Sequence, residues 1–182
     1  VQRVAWVLVV FYTGPVGAFF YFMTCRRPFP GGHDRFTRGT WKQGMNSEMH
    51  CLAGDATGIA VAAAMAPALG LSDGWDIVVA YLSGFIFGLL IFQALMMLKM
   101  YGGNYILAVR KTFFSELVSM NLVMAGMIPV MVVLAHWWPD SGSPASPDFW
   151  FRMSLATIAG GVLAFPINYW LVARHLKHGC MT

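Results

Sequence analysis

Residues 48–70 read "EMHCLAGDATGIAVAAAMAPALG". The second half is a run of Ala, Val, Ile and Met suited to a membrane interior, while the first half places a glutamate, a histidine, a cysteine and an aspartate at its entrance. A bilayer's hydrocarbon core takes about 20 apolar residues of helix, and 49–69 meets that length. Four more segments do so: 4–25, 76–98, 117–136 and 149–173. The expected fold is therefore an all-α integral membrane helical bundle, a single transmembrane domain over residues 1–182 with five spans in contact with the lipid bilayer.

Composition agrees. Hydrophobic residues make up 58% of the 182 and charged residues 11%, against about 25% charged in a soluble domain. The net charge of +4 comes from short basic blocks between apolar runs, the pattern of loops facing an anionic leaflet, and no nucleic-acid role is expected. Arg26, Arg27, Arg35, Arg38 and Lys42 precede the second span, Lys99, Arg110 and Lys111 lie between the third and fourth, and Arg174 and Lys177 follow the fifth. "LSDGWD" and "HWWPDSGSPASPD" carry no Lys or Arg. The positive-inside rule makes the basic side cytoplasmic. Five crossings then put the C-terminus inside and the N-terminus outside. The chain opens at "VQRVAW" without methionine, so a further helix upstream is expected.

Finer features follow. Residues 101–116 begin with glycines and mix aromatic with basic residues, as a short interfacial helix does. Gly54, Gly58, Ala62 and Ala66 recur every four residues, a spacing that lets backbones approach closely. Pro15, Pro129 and Pro166 interrupt three spans and are expected to kink them. Cys25, Cys51 and Cys180 are too scattered for a disulfide framework. The terminal "RHLKHG" reads as a basic cytoplasmic anchor.

Because successive spans alternate in direction, several polar groups fall on one membrane face. These are His50, Cys51 and Asp55, then Gln93, then Glu116, Met120 and Asn121, then Asn168. A carboxylate inside a span is costly and needs a partner or a cation, which makes Asp55 the first suspect. Started at Met49, the helix buries it roughly 9 Å deep. Glu116, Met120, Met124, Met127 and Met131 form a stripe that serves either adaptable packing or soft-metal ligation. Thioether, thiolate and imidazole together select Cu(I). The expected metal set is therefore His50, Cys51, Asp55 and Met120, with Gln93, Glu116, Asn121 and Asn168 around it, and copper as the one cofactor. No catalytic motif or acid–base pair for hydrolysis occurs, so an enzyme is not expected.

"EMHCLAGDATGIAVAAA", "GFIFGLLIFQALMM", "SMNLVMAGMIPVM" and "FPINYWLVARHLKHG" resemble the recurring blocks of an uncharacterised bacterial and archaeal membrane family, catalogued as a domain of unknown function, with an MHC-x-A-G-D signature. The likeness runs over nearly the whole chain. It implies a multi-pass protein of the cytoplasmic (inner) membrane and leaves the activity open. Two readings stand: a protein that binds or transports a cation, Cu(I) foremost, and a non-catalytic accessory subunit of a larger membrane respiratory or metalloenzyme complex, or a homo-oligomer. A proton-coupling role for Asp55 is a third.

Overall fold

A computed structural model describes residues 1–26, 32–70 and 74–179; Arg27 and Cys180 lie outside the described residues. The chain is all-α, with α1 (Gln2–Thr13), α2 (Pro15–Thr24), α3 (His33–Thr37), α4 (Thr40–Leu69), α5 (Trp75–Ile86), α6 (Ala94–Met97), α7 (Tyr105–Trp137) and α8 (Pro147–Ala173). A π-helical stretch, Phe87–Gln93, joins α5 to α6. Among the described residues, four helices are long and apolar enough to cross a membrane: α4, the α5–α6 unit (Trp75–Met97), α7 and α8. They agree with four of the five expected spans.

The remaining span is a correction. Residues 4–25 form a helical hairpin, not a single crossing. Gly14, at φ 57° and ψ −131°, takes a backbone conformation that suits glycine, and Pro15 starts α2 directly after it. The two helices fold back on each other: the rings of Trp6 and Tyr21 meet edge-on at 5.5 Å, and Gln2 Nε2 lies 3.4 Å from Cys25 Sγ. At 12 and 10 residues, the arms reach roughly 18 and 15 Å, well short of the ~30 Å core. Asn46 of α4 ties down both ends, accepting from Trp6 Nε1 at 3.0 Å and donating to the Thr24 carbonyl at 3.0 Å. At the tip, the Tyr12 hydroxyl meets Thr57 Oγ1 at 2.9 Å and its ring stacks on Trp150. Non-helical backbone at this depth is tolerated because it is paired within protein: Gly14 N–H donates to Val10 and Gly14 O accepts from Ala18. With four crossings and a re-entrant hairpin, residue 1 lies at the same end of the bundle as the starts of α4 and α7, not at the opposite end.

Two further boundaries differ. The expected interfacial helix at 101–116 is largely the first turns of α7, which Asn104 caps by accepting from Leu107 N–H at 3.0 Å. α4 begins nine residues before Met49. The last of its added turns is polar in sequence yet buried, with Asn46, Ser47 and Glu48 at most 1% exposed, while Thr40 and Trp41 at the start of α4 remain exposed. Asp55 consequently lies roughly 22 Å along its helix instead of 9 Å.

The small-residue spacing on α4 does what close packing requires. A Cβ at Gly54 would land on the backbone of Gly88, and one at Gly58 on the backbone of Gly84. Methionines of α7 fill the other side of these glycines. Met124 packs against Gly84, Met120 against Gly88, and Met127 against Gly160 of α8. The methionine stripe is thus a set of flexible knobs seated on bare backbone.

Candidate functional site

The site is built where the tail after α8 turns back. His175 takes φ 58°, a left-handed residue past the helix end, and Leu176 N–H and Lys177 N–H both return to the Leu171 carbonyl at 2.9 and 3.3 Å. This is the hydrogen-bonding pattern that closes a helix C-terminus. It redirects the chain so that Gly179 packs on the Gln43 carbonyl and the Lys177 side chain enters the bundle. Lys177 is not the exposed cytoplasmic anchor expected from "RHLKHG"; its side chain is fully buried.

Inside, Lys177 Nζ forms an ion pair with Glu116 Oε2 at 3.1 Å and donates to Cys51 Sγ at 2.9 Å and to Asn168 Oδ1 at 3.1 Å. Ser119 Oγ donates to the same Asn168 oxygen at 2.8 Å and lies 3.2 Å from Cys51 Sγ. With the Ser119 hydrogen committed to Asn168, the single Cys51 S–H is shared between Ser119 Oγ and the Ser47 carbonyl, 3.9 Å away. Three long helices and the tail therefore meet in one continuous polar chain. Burial alone disfavours the Lys177 ammonium, but the Cys51 sulfur and the Glu116 carboxylate beside it hold its pKa above the usual lysine range.

Of the expected residues, the structure joins Cys51, Glu116 and Asn168 through Lys177. Met120 is adjacent through Gly88, whose added Cβ would lie 2.8 Å from Met120 Sδ and 3.7 Å from Glu116 Oε1. Asp55 lies beside Gly84, fully buried, and neither of its oxygens has a hydrogen-bond partner. His50 is also fully buried with both ring nitrogens unpartnered, so it is no part of the hydrogen-bonded chain. Gln93 is 1% exposed, and its Oε1 has no partner. It closes the π stretch, a helix defect common at functional sites, and the Tyr105 hydroxyl satisfies the Leu90 carbonyl there at 2.7 Å.

Asn121 is a correction. It sits on the exposed side of α7, donating to the Leu117 carbonyl at 2.6 Å and accepting from the Tyr81 hydroxyl at 3.1 Å. Its position along the helix puts it level with the site, but one residue beyond Met120 is about 100° further round. Among the described residues no group of three or more His, Cys, Asp or Glu converges to hold a metal ion. The sulfur of Cys51, one of the expected copper ligands, lies against Lys177 Nζ and Ser119 Oγ.

Among the described residues three buried charged groups fall outside the expected set: Lys177, Glu48 and Arg152, the last 8% exposed. Lys177 belongs to a tail that composition alone assigns to water. Glu48 stands one residue outside a span started at Met49, although it opens the same polar run. Both oxygens of Glu48 lack hydrogen-bond partners.

No curated protein and no solved structure matches the chain. The family model of DUF4396, a domain of unknown function, matches residues 40–177, and the chain belongs to that family.

Proposed function

We propose that this is an intramembrane cation-handling protein, in which the buried carboxyls Asp55 and Glu116 take up and release a proton or small cation against the Lys177 ammonium. One observation carries the reading: Glu48, Asp55 and Glu116 are each at most 1% exposed, and the buried ammonium near them is Lys177. A carboxylate left without a partner inside a bundle costs several kcal/mol. A bound proton or cation offsets that cost, and Lys177 stands as a tethered competitor for the Glu116 side of the site. The π stretch facing Glu116 and Met120 supports the same reading.

The test is ion flux into proteoliposomes that enclose a pH-sensitive dye, driven by an imposed potential. Flux above empty liposomes, slowed at least tenfold by Asp55→Asn, is the expected result. Flux indifferent to both Asp55→Asn and Glu116→Gln refutes it. Elemental mass spectrometry on the same protein addresses the soft-metal version: copper present in the native chain and lost in His50→Ala/Cys51→Ala would move the site to Cu(I). Stoichiometric foreign subunits in native mass spectrometry, with no flux, would favour an accessory subunit of a larger membrane complex.

A further inference from the structure

A second feature borders this polar chain, whose Lys177 acts electrostatically on Glu48. The hairpin, α4 and α8 enclose a cavity of about 360 Å³, within the size range of small-molecule sites. Its mouth is rimmed by Val16 and Val162, which are 40% and 73% exposed, so it opens on the lipid-facing surface. The wall is apolar except at a few points. The Thr13 and Thr157 hydroxyls there donate to their own helices, to the Val9 and Met153 carbonyls at 2.6 and 2.7 Å. Glu48 is different: 1% exposed, lining the cavity, with both oxygens unpartnered.

Three aromatic side chains, Phe20, Trp41 and Phe165, line the same cavity. Ring faces attract cations, most strongly where water is excluded. Lys42 stands at the edge of this wall: its Nζ donates to the Phe36 carbonyl at 3.0 Å and lies 3.5 Å from the Phe36 ring centre and 5.6 Å from the Trp41 ring centre. A carboxyl without a hydrogen-bond partner, aromatic walls and an entrance from the bilayer describe one kind of occupant, an apolar body carrying a single positive charge.

We propose that this cavity is a binding site for a lipophilic organic cation, with Glu48 balancing its charge and Phe20, Trp41 and Phe165 around its apolar groups. The probe is radiolabelled tetraphenylphosphonium, and the measurement is equilibrium binding to the full chain in nanodiscs of zwitterionic lipid, with protein-free discs as the blank. Saturable binding near one per chain is expected, weakened at least tenfold by Glu48→Gln, retained in Asp55→Asn, and not displaced by uncharged triphenylphosphine. Binding no greater than the blank, or equal in Glu48→Gln, overturns the proposal and leaves a crevice that takes lipid chains only. Equal loss in Asp55→Asn overturns it too, because the Asp55 side of the bundle would then be the site. Should Glu48→Gln not fold, Gly161→Val keeps the carboxyl and fills the cavity, since a Cβ there already comes within 3.5 Å of Glu48 Oε1 and 3.3 Å of Leu52. Undiminished binding to that variant overturns the proposal as well.

Discussion

Replacing Lys177 by methionine keeps an unbranched side chain, one atom shorter, and removes its charge. In the folded protein this strands Glu116, whose ion pair with Lys177 spans 3.1 Å with both side chains fully buried, and it removes the donor to Cys51 and Asn168. Because neither partner reaches solvent, screening does not soften the loss. Breaking a buried pair by removing one member costs about 3–5 kcal/mol. For a chain of this size that corresponds to a fall of roughly 10 °C in the thermal midpoint. The assay is thermal unfolding in mild detergent, followed by tryptophan fluorescence, for Lys177→Met, Glu116→Gln and the double variant. The double variant should recover at least about half of the Lys177→Met loss, since the neutral amide introduced by Glu116→Gln leaves no buried charge to strand. A Lys177→Met midpoint within about 2 °C of the parent, or losses that simply add, would refute the reasoning. The tail would then lie outside the bundle in solution.

Further outcomes follow from the same geometry. Asn168→Ala leaves Ser119 and Lys177 short of an acceptor and should cost about 1–3 kcal/mol, whereas Asn121→Ala, on the exposed side of α7, should stay within about 0.5 kcal/mol by the same thermal assay. Gly54→Ala forces a Cβ onto the Gly88 backbone and should lower the midpoint despite alanine's higher helix propensity, while Gly142→Ala, which meets nothing within 4 Å, should leave it unchanged. The raised pKa of Lys177 makes its contribution complete below the ordinary lysine value of 10.5 and lost only as pH rises through the folded value. The parent should therefore lose more stability in strongly alkaline buffer than the Glu116→Gln/Lys177→Met variant, with Lys177 itself adding no slope near neutrality. Equal losses would count against the buried ammonium.

That this is an all-α membrane bundle is legible in the sequence, because apolar length and charge placement are local properties that burial in lipid demands outright. So is the identity of the helix that touches its neighbour most closely, since glycine every four residues permits an approach that other side chains forbid. The shared level of Cys51, Glu116 and Asn168 is legible for a related reason: alternating spans bring those levels together however the helices rotate, although α4 and α7 begin earlier than expected and set Cys51 and Glu116 deeper along their helices. Other features exist only in the assembled fold. Residues 4–25 have the length of a crossing, and a hairpin becomes favourable only because Asn46, Thr57 and Trp150 satisfy its ends and tip from elsewhere in the chain. Whether Met120 or Asn121 faces inward depends on helix rotation, which packing sets. Lys177 finds its place in the bundle only because Cys51, Glu116 and Asn168, distant in sequence, converge to offer it partners. A buried charge is stable by virtue of its neighbours, and those neighbours are assembled by the fold.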